Sequence, residues 1–159
     1  MPVNKQLLRD TMAFIEDHEA LWNQSVWHQH DHQQYKSEEN RCGTVMCFAG
    51  WAATIDGCRW VGGKNSDADQ IYANRADERA FKNMIVLGYM NGRKVIPIRY
   101  RAQRVLGLSE YQADTLFDAW NTLDMLREYV DDLINDRMPE SAENVDDLLN
   151  QNEPDEVDD

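Results

Sequence analysis

Cysteine and histidine side chains concentrate in one stretch of the chain, which has the residue types for metal or nucleophile chemistry. The run HQHDH places His28, His30 and His32 at alternate positions, and Cys42 and Cys47 follow at Cys-x4-Cys spacing. In an extended chain alternate side chains point to the same side, so these imidazoles and thiols have the composition of a tetrahedral zinc shell. The spacing is looser than Cys-x-x-Cys, and a polar histidine-rich loop is also typical of solvated surface. A zinc site is therefore one hypothesis.

The same two cysteines have a setting in which a thiol becomes nucleophilic. Cys42 and Cys47 flank the predicted start of a buried helix, where the helix dipole and free N–H groups stabilise a thiolate. A Cys/His-dependent hydrolase or transferase would also need a histidine base within reach. All four histidines precede both cysteines, the reverse of the order in papain-like enzymes, and His18 has the position of a simple helix C-cap. This order favours a non-enzymatic protein.

A third interpretation is a tightly packed helix entrance. Cys47 would be a small core residue beside Trp51. Gly43 lets the chain turn before Thr44, the predicted N-cap. Gly50 costs about 1 kcal/mol in mid-helix relative to alanine, which a close helix–helix crossing would explain.

Three tryptophans complete this structural interpretation. Trp22, Trp27 and Trp51 are predicted to form one aromatic cluster, with Asn23 or Gln24 accepting from an indole N–H group. The structural motif comprises Trp22, Trp27, Cys42, Gly43, Thr44, Cys47, Gly50 and Trp51. Of the three interpretations, the residues favour this one.

Helices must position these residues, and cap residues with apolar periodicity indicate where they lie. In the first half of the chain, helices are predicted from the cap Asn4 to about Ala20 and from Thr44 to Ile55, with Gly57 following. A short helix is predicted over Ala76–Met84, and another within RYRAQRVLGLS, which ends at Gly107. Two more are predicted to begin at the capping box of Ser109 and Gln112 and at the cap Thr122. Residues 58–74 are predicted to be a loop. The pair Asn91-Gly92 predicts one β-hairpin at about 85–98. The fold class is therefore mainly α, a compact multi-helix domain with one small hairpin.

The charge divides the chain into a body and a tail. Net charge is −13 over 159 residues, and nine acidic residues with no Lys or Arg lie from Met138 onward. Subtracting those nine charges leaves −4 on residues 1–137, the predicted single helical domain. Residues 138–159 are predicted to be a largely disordered acidic tail.

Composition also excludes function classes. Because much of the charge is on the predicted tail, a rigid DNA mimic is disfavoured. Nucleic-acid binding is disfavoured too, since the single basic patch, RYRAQR with Arg93 and Lys94, lacks interleaved aromatics along a stripe. That patch would receive an acidic partner or balance the acidic helices. No signal segment or membrane-length apolar run is present, so we expect a cytoplasmic protein with reduced thiols.

The motif order resembles a family of small uncharacterised proteins encoded by actinobacterial phages and their hosts. The similarity spans most of residues 7–134 and includes a Cys-Gly-Thr-x-x-Cys-x-Ala-Gly-Trp-Ala string. The matching segments are IEDHEALWNQSVW at 15–27, CGTVMCFAGWAA at 42–53, RVLGLSEYQADTLF at 104–117 and NTLDML at 121–126. The resemblance implies a phage accessory setting in a bacterial cytoplasm and implies no activity.

Taken together, these observations predict a non-enzymatic, phage-encoded accessory protein that binds and modulates a host protein. No cofactor is expected, and no membrane or nucleic-acid partner. The alternatives are the Cys/His-dependent enzyme and a zinc-stabilised interaction module. Self-association through the last helices stays open, because periodicity does not distinguish a dimer face from a core face.

Overall fold

The structure, a computed structural model, describes residues 2–27, 29–30, 44–61 and 70–143, with backbone alone at 29, 30 and 44. The helices of the described residues are α1 (Lys5–Asp17), α2 (Phe48–Ile55), α3 (Arg75–Ala80), α4 (Ile98–Leu106), α5 (Glu110–Phe117) and α6 (Leu123–Ile134). The strands are β1 (Gln29–His30), β2 (Thr44–Val45), β3 (Gln70–Tyr72), β4 (Gly88–Met90) and β5 (Arg93–Pro97). The mainly α fold class is confirmed.

Helix α1 begins where its predicted cap places it. The Asn4 side chain accepts from the Leu7 N–H at 3.1 Å. The Asn4 N–H also donates to the Leu106 carbonyl at 2.8 Å, so this cap joins the start of α1 to the end of α4. The helix ends at Asp17 and a 3-10 turn follows over Glu19–Leu21, slightly short of the predicted end.

The start of helix α2 corrects the prediction. Thr44 lies in β2 and is not an N-cap; the helix begins at Phe48, with Cys47 as N-cap. The backbone before it is extended, because the Met46 N–H donates to the Leu21 carbonyl at 3.1 Å. The Cys47 N–H likewise donates to the Val26 carbonyl at 2.6 Å. These tertiary hydrogen bonds outweigh the local capping signal.

Gly50 is closely approached, but by a different neighbour from the one predicted. A Cβ at this position would overlap the Trp27 backbone carbonyl and lie 2.8 Å from the Met46 Cβ. The close contacts are therefore with the non-helical backbone at Trp27 and with Met46 just before α2, so the predicted helix–helix crossing at Gly50 was wrong. Gly57 follows the C-cap residue of α2, as predicted.

The hairpin is confirmed and belongs to a larger sheet. Asn91 and Gly92 both have positive φ, 53° and 74°, as a two-residue hairpin turn with the favoured twist requires. Strand β3 pairs with β5 on the other side, giving the antiparallel order β3-β5-β4. Residues 70–72 were predicted to be loop; a three-residue strand is too short for the alternation signal to reveal.

The predicted caps of the second half of the chain are confirmed. Ser109 and Gln112 form a reciprocal capping box at α5, and Thr122 caps α6. Helix α4 ends at Gly107 in the left-handed conformation, at φ 67°. Helix α3 is shorter than predicted and begins with a capping box between Asn74 and Asp77.

The core is built around α2. This helix packs against α1, α4 and α5, and its residues Phe48 to Ala53 are all buried. Its alanines allow the neighbouring helices to approach closely, while Trp51 and Phe48 supply apolar area. Helix α6 covers α1 from the other side. None of the described helices is long and apolar enough to cross a membrane. Most of the predicted tail, residues 144–159, lies outside the described residues.

Candidate functional site

The histidine and cysteine candidates are only partly within the described residues. His28, His32, Cys42 and Gly43 lie outside them. The backbone of His30 pairs with that of Thr44 between β1 and β2. Within the described residues no three His, Cys, Asp or Glu side chains group as metal ligands would. The zinc and nucleophile hypotheses stay predictions.

The cysteines that the structure describes are sheltered. Cys47 is buried at the N-cap of α2, in agreement with a small core residue. Cys58, which the motif did not include, is half-buried just after the same helix. Burial raises the pKa of the Cys58 thiol to about 11. The Arg101 charge and a hydrogen bond with Thr54 lower this pKa, but by less than burial raises it. The environment of Cys58 therefore disfavours a thiolate at neutral pH.

The acceptor predicted for Trp22 is confirmed. Its indole Nε1 donates to the Gln24 Oε1 at 3.1 Å, and the same oxygen accepts from the Phe48 N–H at 3.1 Å. The Gln24 Nε2 donates to the Leu116 carbonyl at 3.0 Å. One buried amide thus satisfies the first N–H of α2 and joins this helix to α5.

The other two tryptophans pack at different places around α2. Trp51 donates from Nε1 to the Leu21 carbonyl at 2.9 Å, and its ring centroid lies 4.5 Å from that of Phe14. Trp27 meets Phe117 edge-on at 6.3 Å. His18 stacks on Phe14 and its Nδ1 lies 2.9 Å from the Phe14 carbonyl, in keeping with a helix C-cap role.

A concave surface that the sequence did not reveal lies between the hairpin, α3 and α4. It is a cleft of about 720 Å³, which we call the basic cleft. Its charged lining residues are Arg59, Arg75, Glu78, Arg93, Lys94 and Arg101. Five cations and one carboxylate therefore share one concavity in a chain whose net charge is −13.

Among the residues that the structure describes, most cations of the basic cleft have no carboxylate partner. Lys94 pairs with Glu78 at 3.2 Å. The side chains of Arg59 and Arg75 have no ion pair with any residue that the structure describes. Arg93 lies over the Tyr72 ring, 5.9 Å from its centroid, which leaves its charge intact. The cleft therefore presents at least three guanidinium groups to a ligand.

Beneath the cleft, a buried ion pair fixes Arg101. Asp77 is fully buried and accepts from the Arg101 Nε at 2.9 and 3.0 Å and from the Arg104 Nε at 2.8 Å. The Asn74 N–H also donates to Asp77 at 3.0 Å, and the Arg101 Nη2 donates to the Tyr72 carbonyl at 3.1 Å. Desolvation alone would raise the pKa of Asp77, but hydrogen bonds from Arg101, Asn74 and Arg104 together hold it below its usual value.

An exposed apolar surface adjoins the cleft on the hairpin. Residues 85–90, which we call the apolar edge, include Ile85, Val86, Leu87, Tyr89 and Met90, all exposed. Strand β4 within it is an outer strand of the described sheet. The Tyr89 side chain is 68% exposed and also lines the basic cleft, so the two surfaces are continuous.

Sequence reasoning recognised only part of this site. The predicted basic patch is divided by the fold: Arg99 pairs with Asp114 at 2.6 Å, whereas Arg101 and Arg104 pair with Asp77. Arg59 and Arg75 lie outside that patch in the sequence and were missed. The one local signal for Asp77 was its capping-box spacing from Asn74, which does not indicate burial with arginine.

Comparisons of the chain with protein-family models, with curated proteins and with solved structures found no match. The motif resemblance to actinobacteriophage proteins therefore stays a prediction. The function is inferred from the geometry and charge of the site alone.

Proposed function

We propose that the protein is a non-enzymatic binding protein that captures an anionic ligand in the basic cleft. The observation that carries the proposal is the set of guanidinium groups of Arg59, Arg75 and Arg93, which line one concave surface and have no ion pair with any described residue. Carboxylates outnumber cations in this chain, 29 to 16, so partners for these groups are abundant in the sequence. The fold nevertheless places these three residues in the lining of one cleft, where no described carboxylate pairs with them.

Electrostatics explains why such an arrangement favours a ligand. Like charges on one concave surface repel one another, and the low-dielectric walls of a cleft strengthen the field inside it. An entering anion relieves this repulsion and gains charge-assisted hydrogen bonds. Guanidinium groups bind phosphate and carboxylate through two parallel N–H···O contacts, which adds geometric selectivity.

The lining residues support capture in preference to chemical conversion. Among the described lining residues there is no histidine or cysteine, and the one carboxylate, Glu78, is held by Lys94. The described lining thus lacks the cysteine or histidine that most often acts as nucleophile or general base. In the phage setting that the motif implies, such capture would take place in a bacterial cytoplasm and alter the host.

Titration calorimetry with inorganic tripolyphosphate tests this proposal. We expect the unmodified protein to bind, and the triple variant R59Q/R75Q/R93Q to bind at least about tenfold more weakly, because the charge-assisted contacts are lost. The matched control is R9Q/R79Q/K82Q, which removes three positive charges outside the cleft. Equal losses in both variants, or no binding by the unmodified protein, would contradict the proposal.

A second candidate retains the predicted host protein as partner. The apolar edge favours it, because strand β4 can pair with an extended segment of another protein. Lys94 and Arg93 lie opposite Tyr89 and Met90 in the hairpin register, so charge complementarity selects an acidic segment. A labelled peptide that alternates valine and glutamate should bind the unmodified protein and lose binding in M90E, because the added carboxylate repels the glutamates of the peptide. A peptide that binds both equally would refute this candidate.

The zinc and enzyme hypotheses are tested separately. A native mass spectrum with a retained zinc ion would support a metal site formed by His28, His30, His32, Cys42 and Cys47. Rapid alkylation of Cys42 by iodoacetamide in the folded protein at neutral pH would support the nucleophile hypothesis.

A further inference from the structure

We infer that the ligand of the basic cleft is a nucleoside polyphosphate, whose phosphates contact the arginines and whose base stacks on Tyr89. The inference rests on the proposed function and names its ligand class. It depends on the size of the cleft, on a fixed cation within it, and on an unpacked aromatic ring at its edge.

The size of the cleft selects a small molecule. Sites for drug-sized ligands and cofactors span roughly 300–1,000 Å³, and the basic cleft, at about 720 Å³, falls within that range. A single phosphate or sulfate would occupy a small fraction of this space. Several linked phosphates with an attached ring system match the volume of the cleft and the four arginines in its lining.

Arg101 supplies a preorganised donor for the phosphates. Its side chain is only 6% exposed, and its Nε and Nη2 are held by Asp77 and the Tyr72 carbonyl. The Nη1 group has no hydrogen-bond partner among the described residues, and Arg101 lines the cleft. A buried guanidinium already fixed on one side loses little conformational freedom when it binds a phosphate on the other. Arg59 and Arg75 add charge on flexible side chains.

Tyr89 supplies a surface for the base. Its ring lines the cleft yet is 68% exposed, and the described residues make no ring contact with it. An exposed tyrosine beside arginines is the combination that proteins use to stack a base while holding its phosphates. Phosphate contacts alone would not require the ring, so the ring distinguishes a nucleotide from a simple polyanion.

Calorimetric titration with ATP, GTP, CTP, UTP and inorganic tripolyphosphate tests the inference. We expect at least one nucleotide to bind about tenfold more tightly than tripolyphosphate, because a stacked base adds affinity of that order. Y89A should reduce nucleotide affinity to the tripolyphosphate level and leave tripolyphosphate affinity unchanged. The matched control is W120A, which removes an aromatic ring that is 89% exposed and lies outside the cleft, and should change neither affinity.

The outcomes separate the two proposals. If tripolyphosphate binds and every nucleotide binds no more tightly, or if Y89A weakens both ligands equally, the nucleotide inference is overturned while the anion-binding cleft stands. If tripolyphosphate does not bind, the proposed function fails as well. If a nucleotide binds more tightly than tripolyphosphate, and Y89A removes this difference in affinity, the result supports both the anion-binding cleft and the nucleotide inference.

Discussion

Replacing Asp77 with asparagine measures how strongly the buried ion pair stabilises the fold beneath the cleft. The substitution keeps the side-chain shape and removes the charge that neutralises Arg101 and Arg104. Arg101 would remain charged at 6% exposure, and its Nε would face an amide that cannot accept on both atoms. Breaking a buried ion pair in this way typically costs about 3–5 kcal/mol. That is a large part of the roughly 5–15 kcal/mol by which domains are stable.

Urea unfolding followed by far-ultraviolet circular dichroism gives this free energy directly. The matched control is D114N, which removes a carboxylate from the surface pair with Arg99. Asp114 is 60% exposed in that pair, so its loss should cost less than about 1 kcal/mol. A cost for D77N as small as that for D114N would refute the argument that the buried charge is required.

The pH dependence of the difference between the unmodified protein and D77N provides a second test. Because the folded protein holds the pKa of Asp77 below its usual 3.8, this carboxylate stabilises the fold above that value. The advantage of the unmodified protein should stay constant from neutral pH down to about pH 5, then shrink as the pH falls through the folded-state pKa. An advantage that stays constant, or grows, as the pH falls below about 4 would show that the pKa of Asp77 is not lowered.

Three further predictions concern the glycines and the thiols. In urea unfolding, G50A should lower the unfolding free energy by at least about 1 kcal/mol despite alanine's better helix propensity, because its Cβ would overlap the Trp27 carbonyl. The control G88A should leave the unfolding free energy almost unchanged, because a Cβ at that position meets open space. G107A should lower the unfolding free energy more than G57A does. Both glycines have positive φ, but a Cβ at position 107 would also overlap the Pro2 carbonyl. Equal losses of unfolding free energy in the two variants would exclude a role for that contact. In a C42S variant, iodoacetamide at neutral pH should alkylate Cys47 and Cys58 only after urea unfolding, because Cys47 is buried and the pKa of Cys58 is raised. Intact mass spectrometry would show the added mass.

The sequence predicted the features of the fold whose causes are local. Ser109 and Gln112 lie three residues apart and satisfy each other's backbone N–H groups whatever surrounds them. The turn at Asn91-Gly92 likewise depends on conformations that these two residues adopt readily. Thr44 carried an equally good local signal and was assigned wrongly. Its neighbours donate their backbone N–H groups to residues more than twenty positions earlier in the chain, which no local pattern records.

The basic cleft could not be predicted for the same physical reason. Arg59, Arg75, Arg93 and Arg101 are spaced along more than forty residues and meet because β3 pairs with β5 and α3 packs on α4. Whether a cation is neutralised depends on which carboxylate the fold brings to it. Asp77 pairs with both Arg101 and Arg104, so its carboxylate is not available to neutralise the other cations of the cleft. Net charge and sequence proximity therefore gave no indication of a positive cleft.

Helix α2 connects the cysteine motif to the cleft. Gln24 holds the first turn of this helix, and the Trp27 carbonyl packs against Gly50. The chain then leaves α2 toward Arg59, while α2 itself packs against α4, which carries Arg101. Because the motif fixes the position of α2, it also fixes the separation of two cleft cations. Cys47, one of the residues that resemble a catalytic or metal-binding set, thus lies at the packed start of the helix that supports the proposed anion-binding cleft.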